Sequence, residues 1–177
     1  MTDTVLRSRA VFFATLGWTL LLAAFFANVE IQIEGAHGWA ASLPTWHVAP
    51  NLLLDIFWGG REMTGYHAWL FPFMALAFHF PLVAGGHWSW RAEARTLGCL
   101  ALFWLTEDFL WFVFNPAYGL AHFGPRWVSW HPHWWAGLPV DYWVFSLVAA
   151  LLLWCSWPGA TAPHARDADA TAHVSES

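Results

Sequence analysis

The chain has 177 residues, 58% of them hydrophobic and 11% charged, with a formal net charge of −5 at pH 7. A soluble domain carries about 25% charged residues, so this composition argues against a water-soluble globule. The seven basic residues are all arginines set apart from one another, with no basic, aromatic-interleaved stripe of the kind that binds nucleic acid. The two cysteines, Cys99 and Cys155, fall inside apolar runs without spaced partners. They read as small packing residues, not as a disulfide framework or a Cys-x-x-Cys metal knuckle. Sixteen tryptophans are a membrane signature, because the indole ring is apolar while its N–H prefers the wet interface.

The first apolar window runs from Ala10 to Ala27, behind Arg7 and Arg9. It exceeds the ~7–15 residues of a signal-peptide core and lacks a small-x-small cleavage site, so it reads as a retained helix. With the polar-tipped segment Asn28–Glu34 it spans about residues 10–33. The connection over residues 35–66 contains Pro44, Pro50 and a short apolar run, Leu52–Trp58. That run is too short to cross ~30 Å of hydrocarbon and is expected to lie along the interface. A second helix is expected over residues 67–84, closed by Gly85-Gly86; membrane helices tolerate internal prolines such as Pro72 and Pro81. A short connection carries Arg91 and Arg95, and a third helix follows over residues 96–114, stopped by Asn115-Pro116. The connection over residues 115–139 is rich in Trp and His. A fourth helix is expected over residues 140–157, and the polar, aromatic-free residues 158–177 read as a disordered tail.

The expected fold is therefore all-α: a polytopic membrane protein with one domain over residues 1–157, four transmembrane helices and two long extracytoplasmic connections. Arginine placement orients it. With both termini cytoplasmic, Arg7, Arg9, Arg91, Arg95 and Arg166 lie inside, against Arg61 and Arg126 outside. The expected location is a bacterial inner membrane, with the His- and Trp-rich connections facing outward.

Three features carry chemistry. Glu107-Asp108 sits well inside the third apolar window. An ionised group at mid-membrane costs about 2.5–3.5 kcal/mol, so two adjacent acids require a cation, a metal, hydrogen-bond donors or protonation. The plainer accounts are a broken helix capped by Thr106, a neutral packing carboxyl, or a water pocket without chemistry. Glu30 and Glu34 share one face, whether the segment is helical or extended. The third feature is the histidines. His67 opens the second helix, His131 and His133 form a His-x-His pair, and His79 lies in a phenylalanine-rich stretch where an imidazole can ligate haem or a chlorophyll-type pigment. Aromatic packing is the simpler account of that stretch. Asp141 opens the fourth helix, where the helix dipole favours an acid.

Glu30, Glu34, His67, Glu107, Asp108, His131 and His133 all map to the outer half of the bundle, a donor set suited to a divalent metal such as Zn, Fe or Mn. The chain lacks the paired Glu-x-x-His and His-Glu-x-x-His motifs, a phosphate-binding glycine loop and a nucleophile elbow. The leading expectation is a membrane enzyme acting on a lipid-like or hydrophobic substrate, with Glu107, Asp108 and His67 as catalytic groups. The alternatives are a cofactor-binding or accessory subunit of a larger membrane complex, built around His79, and a small proton-coupled transporter.

Overall fold

A computed structural model describes residues 3–158; the segment read from sequence as a tail, and Arg166 with it, lies outside the described residues from position 159 onward. The fold is mostly helical. Helix α1 (Asp3–Glu34) buries Phe12, Thr19, Ala23, Ala27, Glu30, Ile31 and Glu34, a stripe with three- and four-residue spacing along one face. Ala23 and Ala27 have no exposed surface, and such small residues let helix backbones approach closely in an apolar solvent. The helix continues to Glu34, so Asn28–Glu34 is helical, not extended.

Helix α2 (Leu52–Trp58) is the short apolar run, started by Asn51, whose side-chain oxygen accepts from the amides of Leu53 and Leu54. Helix α3 (Gly65–Gly85) contains both prolines without breaking. Helix α4 (Trp90–Phe114) begins six residues before the expected 96 because Ser89 caps it by accepting from the Ala92 amide and Glu93 supports its first turn. It runs unbroken through Thr106, Glu107 and Asp108, which removes the broken-helix account of the acids. Helix α5 (Val140–Cys155) completes the set.

α4 is the central element, packing against α1, α3 and α5. Two antiparallel pairs of two-residue strands tie the connections. β1 (His47–Val48) pairs with β2 (Met63–Thr64), and β3 (Trp134–Trp135) pairs with β4 (Leu138–Pro139). β2 leads directly into α3 and β4 directly into α5, so each ribbon fixes how its helix starts. Pairs this short leave no alternating pattern in the sequence.

Among the described residues, three helices, Leu6–Glu34, Gly65–Gly85 and Trp90–Phe114, are long and apolar enough to cross a membrane. Their outward faces carry large exposed apolar side chains, among them Phe25, Leu76 and Phe80. Exposed apolar side chains in this number suit an apolar surrounding. At one end of the molecule Arg7, Arg91 and Arg95 lie together, with Arg95 donating to the Ser156 carbonyl at 3.2 Å.

Gly98 allows the close approach of α4 and α5. A Cβ there would stand 3.0 Å from Leu153 Cγ and 3.1 Å from Leu152 Cβ. Gly98→Leu is expected to force the helices apart at a cost of about 1–3 kcal/mol. The check is thermal unfolding in detergent: the variant melts lower than the native protein, and an unchanged midpoint would contradict this packing.

Candidate functional site

The helix ends farthest from the arginine cluster surround a cavity of about 450 Å³. Its polar wall comes from the last turn of α1 (Glu30, Glu34), the first turn of α3 (His67), the C-terminal part of α4 (Glu107, Asp108) and the first turn of α5 (Asp141, Tyr142). Arg61 and His131 reach it from the two connections. Trp39, Trp58, Trp111 and Trp130 supply much of its apolar lining.

Ligand atoms of Glu30, Glu34 and His67 all lie within 4.8 Å of one another, and all three side chains are buried. This group could hold a metal ion. Each member is held in place by a neighbour. Tyr66 donates its hydroxyl to Glu30 Oε1 at 3.1 Å. The Ala40 amide donates to Glu34 Oε1 at 2.6 Å. That amide is aimed by a turn in which Trp39 (φ 48°) and Ala40 (φ 52°) both adopt the left-handed conformation, an arrangement that costs non-glycine residues energy and recurs where a site demands it. His67 Nδ1 lies 2.6 Å from Thr64 Oγ1, and its ring stacks on Trp39 at 3.9 Å. With an Nδ1–H donated to Thr64, the Nε2 lone pair faces Glu34, 3.9 Å from its Oε1. That separation is too long for a direct hydrogen bond. A fixed tautomer of this kind is how metal-ligating histidines are oriented.

Glu107 completes the group. It is 2% exposed and lines the same cavity as Glu30 and Glu34. Its Oε1 is buried with no hydrogen-bond partner among the described residues. An unpaired carboxyl oxygen in such a place is costly unless something else binds it.

A second cluster faces the first. Asp108 accepts from the Tyr142 hydroxyl and from His131 Nε2, the latter at 3.2 Å. On the other side of the imidazole, His131 Nδ1 is 2.7 Å from Arg61 Nη2. Nδ1 is also 3.2 Å from Asp141 Oδ2; with Nδ1 accepting from the closer guanidinium, which can only donate, the proton sits on Nε2, pointing at Asp108. Arg61 also pairs with Asp141, donates from Nε to the Trp130 carbonyl at 3.2 Å, and lies over the Trp39 ring at 5.1 Å. Burial pushes the Arg61 guanidinium below its ordinary value, while Asp108 opposes the shift.

The structure thus brings Glu30, Glu34, His67 and Glu107 into one group and Asp108 with His131 into another. His133 sits apart at the exposed rim, where its Nε2 pairs with Asp55 at 2.9 Å. His79 lies outside the cavity. Its Nδ1 contacts the Ala75 carbonyl at 2.6 Å and its Nε2 contacts Glu93 at 2.9 Å, so both ring nitrogens are engaged. Sequence reasoning missed Arg61, Thr64, Tyr66, Trp39 and Tyr142 as site residues. The available signal was adjacency: Thr64 and Tyr66 flank His67 within three residues, and Tyr142 follows Asp141.

Burial pushes the His131 imidazole below its ordinary 6.5, with Asp108 partly compensating. The unfolded chain therefore takes up this proton first as pH falls. The contribution is fully present above about pH 6.5 and is lost as pH drops toward the folded-state value. The expected outcome is a melting midpoint that falls between pH 7 and pH 5 more steeply in the native protein than in His131→Gln. Parallel pH profiles would contradict a buried neutral imidazole. No protein-family model, no curated protein and no solved structure matches the chain.

Proposed function

We propose that this chain is a metal-dependent membrane enzyme that crosses the bilayer four times and acts on a lipid-like substrate in the outer half of the membrane. The carrying observation is the buried Glu30–Glu34–His67 group, with the unpaired Glu107 oxygen beside it. Two carboxylates and an imidazole form a hard-to-borderline donor set that suits Zn, Fe or Mn. A fourth position is left to Glu107 or to a reacting molecule, as in catalytic sites that keep an open place. Bound there, a divalent ion would polarise a substrate oxygen or supply hydroxide near neutral pH. Asp108 and His131 would hold and move a proton across the cavity, with Tyr142 and Arg61 fixing their orientation.

The four-span reading adds α5 to the three longer helices. Its 16 residues cover about 24 Å, a few Å short of the hydrocarbon core, and the flanking Trp143 and Trp154 are placed as interfacial anchors. The arginine cluster at the opposite end from the site supports cytoplasmic placement of that end.

Metal analysis of the protein purified in detergent tests the reading. After incubation with Zn, Fe(II) or Mn and removal of free metal, the native protein is expected to retain about one equivalent. His67→Ala and Glu34→Gln are expected to lose it, and Thr64→Val to weaken affinity about 10–100-fold by releasing the imidazole tautomer. No retained metal, or retention unchanged in His67→Ala and Glu34→Gln, would overturn the assignment.

A further inference from the structure

The cavity that holds the acids also has a second, apolar end. Its wall there is built from Phe71 of α3, Trp104 and Leu105 of α4, and Val144 and Phe145 of α5. Val144 is 52% and Phe145 40% exposed, so this flank of the lining reaches the apolar surface of the helices. An alkyl chain entering there would keep its tail among apolar side chains and bring its head to the acids.

The charges at the polar end restrict that head. Glu30, Glu34, Glu107, Asp108 and Asp141 all line the cavity, while its arginine, Arg61, is already neutralised by Asp141. His131 is held as a neutral acceptor by Arg61. A divalent ion would balance two of the carboxylates and leave no excess positive charge for an anionic group. Like charges brought together in a dry site repel strongly. Neutral donors, in contrast, are available. The indole N–H groups of Trp58 and Trp111 are buried without hydrogen-bond partners among the described residues, and both residues line the cavity. Trp111 is only 3% exposed. An unpaired buried donor is costly and is relieved by an uncharged oxygen acceptor.

Resting on the enzyme reading above, we infer that the cavity takes an alkyl-chain amphiphile whose head is an uncharged oxygen group, a hydroxyl or a carbonyl. It rejects phosphate and carboxylate heads, and the tail leaves between α3 and α5. The head lies against Trp111 and the carboxyl groups, and the chain passes Val144 and Phe145.

The test uses the full chain in nanodiscs and two photoreactive dodecyl probes with identical chains, one ending in a hydroxyl and one in a phosphate. Both are tested with and without bound Zn. The hydroxyl probe is expected to label peptides of the α3–α5 flank, with labelling suppressed by excess dodecanol and not by dodecyl phosphate. Its apparent affinity is expected to exceed that of the phosphate probe by about tenfold or more. Val144→Trp should abolish labelling while metal retention persists, which reports that the variant folds. Trp111→Phe should weaken it about 3–10-fold, the loss of one hydrogen bond. Equal labelling by the phosphate probe, or labelling indifferent to both variants, would overturn the inference. Selective hydroxyl labelling of a protein that retains no Zn would leave this inference standing while removing the metal assignment.

Discussion

A carboxylate taken out of water must find a cation, a donor or a proton, and this constraint organises the end of the molecule opposite the arginine cluster. Glu30, Glu34 and Glu107 are 7%, 6% and 2% exposed, on helices whose other faces are apolar. Nearly every unusual local feature there supplies them with a partner. Trp39 and Ala40 take left-handed conformations in the turn that turns the Ala40 amide toward Glu34. Tyr66 is placed one residue before His67 and reaches Glu30. Asn115 ends α4 and donates to the Gly35 carbonyl at 3.0 Å, tying the end of α1 to the end of α4. The partner that is still missing belongs to Glu107 Oε1.

The connections are part of the site, not coverings added to it. β2 delivers Thr64 as both the cap of α3 and the orienting group of His67. β4 delivers Asp141 and Tyr142 in the first turn of α5. Arg61 locks the two connections to each other through the Trp130 carbonyl and His131. Two clusters result. Ligand atoms of Glu30, Glu34 and His67 gather within 4.8 Å of one another, with Glu107 lining the same cavity. Asp108, His131, Arg61 and Asp141 form a chain that is internally paired.

Much of this was legible in the sequence, because the physics that placed it is local. Windows of about 20 apolar residues mark helices regardless of partners, and helical spacing puts Glu30 and Glu34 on one face. The helix lengths alone put Glu30, Glu34, His67, Glu107 and His131 at one end. What stayed hidden depends on the connections. His131 and His133 are equivalent in Trp-His-Pro-His-Trp, yet one is buried beside Asp108 and the other pairs with Asp55 at the rim. Only the path of the chain after Val128 decides between them. Arg61 read as an outside charge because an arginine stacked on a distant tryptophan and paired across 80 residues has no local pattern. The start of α4 at Trp90 was hidden for a different reason: Arg91, Glu93 and Arg95 break the apolar run, while the Ser89 cap and the dipole keep the chain helical.

In the proposed metal site a cation, rather than protons alone, makes the buried carboxyl groups tolerable. Infrared difference spectroscopy between the Zn-loaded and the chelated protein addresses this directly, since protonated and ionised carboxyl groups absorb at separate frequencies. The account predicts that chelation raises the protonated-carboxyl band as the acids exchange metal for protons, and that this signal is reduced in Glu107→Gln and Glu34→Gln. A spectrum in which the carboxyl bands are the same with and without the metal would contradict it.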